Sequence, residues 1–190
     1  MKRRTAQAAG EDSRGSRTDF PDTLLEVRSG WGRLGYDRAV TAPPDPSAPP
    51  GRFRVRETVR WSDVDLAGII FYGSYVRLFE IAETELFRAA GLPFSRLIGE
   101  LDLWLPRAAL HFEFRRPARL DDLLDLEMWI SRIGTSSLRL QFEVYRSAPE
   151  RELTAEGYAV LVAVRRADMK PVPLAPELVA ALAPYRGEVT

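Results

Sequence analysis

A chain of 190 residues, 45% hydrophobic and 28% charged, is long enough for one globular domain with a sizeable core and an appendage. Its 27 basic and 27 acidic side chains cancel, so no net charge favours nucleic acid or an anionic membrane as the main partner. The lack of cysteine excludes a disulfide framework, a thiol nucleophile and a Cys-ligated metal and fits a cytoplasmic setting, while a single histidine, His111, excludes multi-His zinc sites and disfavours a Ser-His-Asp triad.

In chain order, Met1 to Thr18 is polar and has little to bury, which predicts a disordered leader. Met1-Lys-Arg-Arg4 is not followed by an apolar signal-peptide core, and no run approaches the roughly 18 to 20 apolar residues that span a bilayer. Phe20 to Val40 mixes Leu24, Leu25 and Trp31 with glycines, and the proline-rich stretch 41–50 stiffens the chain into an extended linker. Residues 1–50 therefore read as leader and linker, and 51–190 as the domain. Phe53 to Trp61 alternates apolar and charged positions, as a strand does. From Ser74 to Ala90 the apolar residues Tyr75, Leu78, Phe79, Ala82, Leu86 and Ala89 recur at helical spacing, with Arg77, Glu80, Glu83, Thr84 and Arg88 on other faces. Ser74 is the expected N-cap, and Gly91 followed by Pro93 the stop. The period then changes to two over Leu105 to Arg116, Leu123 to Ile133, Ser137 to Arg146 and Leu153 to Arg165, before a short helix over Pro176 to Tyr185. One long helix with about five strands is an α+β order, in which an antiparallel sheet wrapped round the helix buries its apolar stripe.

Between the first strand and the helix lies Trp61-Ser-Asp-Val-Asp-Leu-Ala-Gly-Ile-Ile-Phe-Tyr-Gly-Ser-Tyr75, two carboxylates and a glycine turn ahead of a helix start. Asp65 lies three residues before Gly68 and seven before Tyr72. A short turn there brings its carboxylate beside the unpaired N–H groups of the helix entrance, which with the helix dipole suit a developing oxyanion. One carboxylate and one oxyanion site are enough to hydrolyse a thioester. The competing reading of Asp65 is an Asx turn or a helix cap.

The run Asp63-Val-Asp65-Leu-Ala-Gly68-Ile-Ile-Phe-Tyr72, followed by Tyr75, Glu80 and Gly91-Leu-Pro93, resembles the 4-hydroxybenzoyl-CoA thioesterase family, which includes the YbgC-like acyl-CoA thioesterases. The match continues through Arg116-Pro-Ala-Arg-Leu-Asp-Asp122, Ile133-Gly-Thr-Ser136, Ala155-Glu-Gly157 and Lys170-Pro-Val-Pro173, and spans roughly residues 53 to 180. The resemblance implies the hotdog fold, with subunits paired side by side as a homodimer or homotetramer and active sites at their interface. It implies hydrolysis of an acyl-CoA with no metal and no cofactor, CoA entering only as part of the substrate. Asp65 would act as nucleophile or general base, and the Tyr72 backbone N–H, supported by that of Gly73, as the oxyanion donor. Many relatives carry His at or near Tyr72, and this chain departs from them. Another branch of hotdog thioesterases uses a helix glutamate, for which Glu80 is the candidate, with a structural ion pair as the competing reading.

Phe71, Trp104 and Leu105 are candidates to line an acyl pocket, or simply core. Coenzyme A phosphates need cations, and among the arginines 115, 116, 119, 132 and 139, Arg132 alone stands where relatives carry a basic cluster. Arg132, Thr135 and Ser136 are thus candidate substrate contacts, and the sparse positive charge keeps acyl carrier protein open as the thiol carrier. His111 alternates with Glu113 and Arg115 on the polar side of its strand, away from the motif, which disfavours a dehydratase. A catalytically silent acyl-binding protein is the alternative from another class, and the retained Asp65 argues against it.

Overall fold

The computed structural model describes residues 48–188, so the leader and the Phe20 to Val40 segment lie outside the described residues. Strand β1 (Phe53–Thr58) leads through a 3-10 turn (Trp61–Asp63) and the motif loop into helix α1 (Ser74–Ala89), then a short helix α2 (Phe94–Gly99). Strands β2 (Leu103–Trp104), β3 (Arg107–Phe114), β4 (Leu123–Ile133), β5 (Ser137–Arg146), β6 (Glu152–Val162) and β7 (Val164–Arg165) follow, and α3 (Pro176–Leu182) runs into a second 3-10 turn. Five strands form one antiparallel sheet in the order β1-β4-β5-β6-β3, and β2 pairs with β7.

The period-two pattern decides which face is covered. Met128 stands opposite Phe142 and Phe142 opposite Gly157, while Ile130 faces Leu140 and Leu140 faces Ala159, so β4, β5 and β6 turn one continuous apolar face inward. Helix α1 fills it. Tyr75, Leu78, Phe79, Ala82, Leu86 and Phe87 are all buried, and the Phe79 ring meets Phe142 at 5.4 Å and Phe112 at 6.3 Å. Each such aromatic or aliphatic side chain contributes about 1.5–3 kcal/mol of burial. The α+β architecture of about five antiparallel strands round one long helix is the expected one.

The outer face carries the alternate residues. Glu127 is fully buried there because Arg52, Arg54 and Arg151 converge on its carboxylate at 3.0, 2.6 and 2.7 Å. At the far edge, β3 pairs only with β6 among the described residues, and Leu110 and Phe114 on it are exposed.

Three local expectations are corrected. Ser74 is the first helical residue and Gly73 the N-cap; the Ser74 hydroxyl instead donates to the Asp63 carbonyl at 3.1 Å. Glu83 is not on an outer face of α1 but fully buried. The helix α2 and the β2–β7 pair were not expected, because six- and two-residue elements are too short to show a period; β6 accordingly ends at Val162 and β7 takes up Val164–Arg165.

Candidate active site

The motif loop is a closed hairpin. Val64 bridges Ile70 antiparallel, the Asp65 N–H donates to the Ile69 carbonyl at 3.0 Å, and the Phe71 N–H donates to the Asp63 carbonyl at 2.8 Å. Gly68 turns the tip with φ of +72°, a left-handed conformation that costs glycine little. Asp63 anchors both ends. Its buried carboxylate accepts from Arg77 Nε and Nη2 at 2.9 and 2.5 Å, a two-pronged ion pair to the first turn of α1, and from the Arg60 N–H at 2.8 Å. The loop is thereby fixed to the helix entrance by the carboxylate that does not reach the cavity.

Asp65 is exposed and lines a cavity of about 470 Å³ with Ile69, Ile70, Tyr72, Tyr75 and, from the end of β3 and beyond, Phe114 to Pro117. One carboxylate oxygen accepts from the Ala67 N–H at 2.8 Å, so the Asx turn is present. The other oxygen has no partner among the described residues. The two readings of Asp65 are compatible, since the turn occupies one oxygen and aims the carboxylate. No acceptor among the described residues takes the N–H of Tyr72 or of Gly73, which stand at the positive end of α1. Gly73 has a packing reason as well: a Cβ there would lie 2.5 Å from the Phe71 ring. Burial pushes the Tyr75 phenol above its ordinary value, keeping it a neutral wall of the cavity.

The remaining candidates disperse. Phe71 packs on the Tyr72 ring at 4.2 Å, outside the cavity lining. Trp104 and Leu105 line a second cavity, with α2. Glu80 lines a third, with Val76, Phe79, Arg107 and Leu110. Arg132 is exposed near the end of β4, and Thr135 and Ser136 sit in the β4–β5 turn, where their carbonyls accept from the Leu174 and Ala163 N–H groups. Of the arginines, Arg115 and Arg116 border the Asp65 cavity, each paired with a half-buried carboxylate, Arg115 with Glu156 at 2.8 Å and Arg116 with Glu152 at 3.3 Å. His111 is exposed and stacks on Tyr158 at 5.2 Å. Among the described residues no group of three or more His, Asp or Glu is placed to hold a metal ion, and no helix is long and apolar enough to cross a membrane. The Asp63–Arg77 clamp and the Glu83–Arg107 pair were missed, although Glu83, four residues after Phe79 and three before Leu86, falls on the buried stripe.

The five-stranded antiparallel sheet wrapped round α1 defines the fold class, and Asp65 and Tyr72 share one cavity at the entrance of that helix. Residues 59–182 match the thioesterase-like superfamily, to which the chain belongs, and it is a thioester hydrolase of that superfamily. The acyl-CoA thioester hydrolase YbgC of Escherichia coli is 30% identical over 128 residues, 67% of this chain and 93% of the relative. A 1,4-dihydroxy-2-naphthoyl-CoA hydrolase of Rippkaea orientalis is 22% identical over 64% of this chain and 88% of its own. Among solved structures, a variant 4-hydroxybenzoyl-CoA thioesterase complexed with 4-hydroxybenzoyl-CoA superposes with a TM-score of 0.65 at 20% identity, over 70% of this chain and 99% of that one. That likeness places the hotdog fold.

Proposed function

We propose that this thioesterase hydrolyses acyl-CoA thioesters with Asp65 as its carboxylate and the Tyr72 amide as oxyanion donor, in a homodimer joined along β3. The observation that carries the reading is the pairing, at one cavity, of a carboxylate oxygen with Tyr72, neither that oxygen nor the Tyr72 amide having a hydrogen-bond partner among the described residues. As general base, Asp65 takes a proton from water while the water oxygen attacks the thioester carbonyl. The Tyr72 N–H, with that of Gly73 in support, holds the resulting oxyanion, and collapse expels the CoA thiolate, which takes up the proton. As nucleophile, Asp65 instead attacks the thioester carbonyl and displaces the CoA thiolate to form an anhydride, which water opens to the free acid and the restored Asp65 carboxylate. Arg115 and Arg116 at the mouth are suited to exchange their carboxylate partners for phosphates. Support for the dimer comes from the open, partly apolar β3 edge, which a second copy would cover. The absence of cysteine suits work in the cytoplasm.

The test is a panel of short, long and aromatic acyl-CoA thioesters followed with a thiol-detecting reagent, on the natural chain and on Asp65→Asn. Asparagine keeps the turn but removes the base, so kcat should fall by at least about 10²-fold, with KM changed less. A folded, active Asp65→Asn beside a dead Glu80→Gln would move the reaction to the helix carboxylate. Hydrolysis of acyl carrier protein thioesters alone would move the substrate.

A further inference from the structure

Towards the other end of α1 from Asp65 lies a charged pair that the reaction does not use. Glu83 is fully buried; one of its oxygens pairs with Arg107 Nη2, and the other, Oε1, is buried with no hydrogen-bond partner among the described residues. Arg107 opens β3, and its half-exposed side chain has Glu83 as its only ion-pair partner among the described residues. Arg107, which also borders the Glu80 cavity, lines a cavity of about 250 Å³ whose other walls are apolar: Phe94, Leu97 and Ile98 of α2, then Leu103, Trp104, Leu105 and Pro106. The indole N–H of Trp104 is also buried without an acceptor among the described residues, and the Arg166 guanidinium stands 5.4 Å from the Trp104 ring. An apolar slot whose one lining charge is an arginine with unused donors, next to an orphaned indole N–H, is complementary to an acceptor oxygen of negative charge on an apolar body.

We propose that this cavity binds a carboxylate carried on an alkyl chain, with Arg107 as the anchor and Glu83 as the internal competitor that holds Arg107 in place while the cavity is empty. A free alkanoic acid has that chemistry, and so does the acid released by the proposed hydrolysis; only this link to the product rests on the thioesterase reading. When the ligand takes Arg107, Glu83 is left a buried carboxylate without its counter-ion and takes up one proton, so binding consumes a ligand anion and a proton together. Burial already pushes the Glu83 carboxyl up to about 7, against the pull of Arg107 from β3, and the neighbouring Glu80 on α1 adds to the rise. Below pH 7 Glu83 is mostly neutral and Arg107 available; above it Glu83 competes for Arg107 and the ligand binds more weakly.

The experiment measures decanoate binding to the full chain by calorimetry and tryptophan fluorescence at pH 6 and pH 8. The natural protein should bind decanoate roughly tenfold more tightly at pH 6, as expected of one group titrating near 7. Glu83→Gln should bind at pH 8 as tightly as at pH 6, and Arg107→Gln should lose at least about tenfold at both. A pair that only braces the fold predicts the opposite for Glu83→Gln, which would then weaken binding as Arg107→Gln does; that result overturns the proposal. So does equal binding of decanol, tighter binding of decylammonium, or no binding because another segment or a second copy fills the slot. If Arg107→Gln does not fold, the Glu83→Gln comparison decides alone. Thiol release, measured on the same proteins, reports the hydrolysis reading separately, so either can fail without the other.

Discussion

Asp63 and Asp65 stand two positions apart and meet opposite fates because of what surrounds them. Asp63 is 2% exposed and spends its charge on Arg77 and the Arg60 N–H, fixing the loop, whereas Asp65 stays solvated at the cavity with one oxygen in reserve. Glu83 is a third case, a carboxylate held where water cannot reach it. Its carboxyl is raised to about 7 from 4.5, so the folded protein binds the proton more tightly than the unfolded chain does. The resulting stability is fully present below pH 4.5 and is lost as pH rises through about 7, by roughly 3 kcal/mol at most. Glu83→Gln should flatten that part of the profile. Melting temperatures of both proteins between pH 4 and 8 check it, and a variant that keeps the full slope would show that other groups cause it. At this scale the spacing of Asp65 to Gly68 and Tyr72 foretold that Asp65 and Tyr72 share a cavity, but the sequence hid Glu83. A glutamate between Ala82 and Thr84 reads as surface unless its partner Arg107, 24 positions away, is known.

The long elements were legible because their periods are long and clean. Strands β4 and β5 run over Leu123–Ile133 and Ser137–Arg146, where alternation and the Gly134 turn set them, and α1 starts and stops as its apolar stripe does. The short ones were not: Phe94–Gly99 spans fewer than two turns, and β2 draws its partner β7 from some 60 positions away, so pairing rather than propensity makes it a strand. Strand β3 belongs to both groups, since its apolar alternation suggested a strand but not that one side would stand open. Leu110 sits 42% exposed on that edge. Leu110→Glu would place a like charge from each copy on the apolar side of the joined β3 edges, and should yield monomers with reduced hydrolysis. Light scattering and activity over a dilution series test this; a dimer with full activity would put the interface elsewhere.

On the scale of the molecule, the superfamily match covers 59–182 and the described residues 48–188 contain the sheet, its helix and the cavities lined by Asp65, Glu80 and Trp104. A chain shortened to begin at Gly51 should therefore fold and retain hydrolysis. Thermal melting and thiol release are the measurements, and a loss of more than a few degrees, about 1 kcal/mol or more at this size, would show that the earlier residues support the domain. Such a shortening stops just before Arg52, and the position of that residue has a consequence for how the protein can change. Glu127 gathers arginines from ahead of β1, from β1 and from the β5–β6 turn, and Arg52 also reaches Glu143. Removing the Glu127 carboxylate on which the arginines converge costs about 3–5 kcal/mol, whereas exchanging the whole group for apolar side chains is often neutral. The outer face of the sheet is therefore a place where drift by single steps is blocked and only a concerted exchange passes, so these charges should persist or vanish as one unit of inheritance.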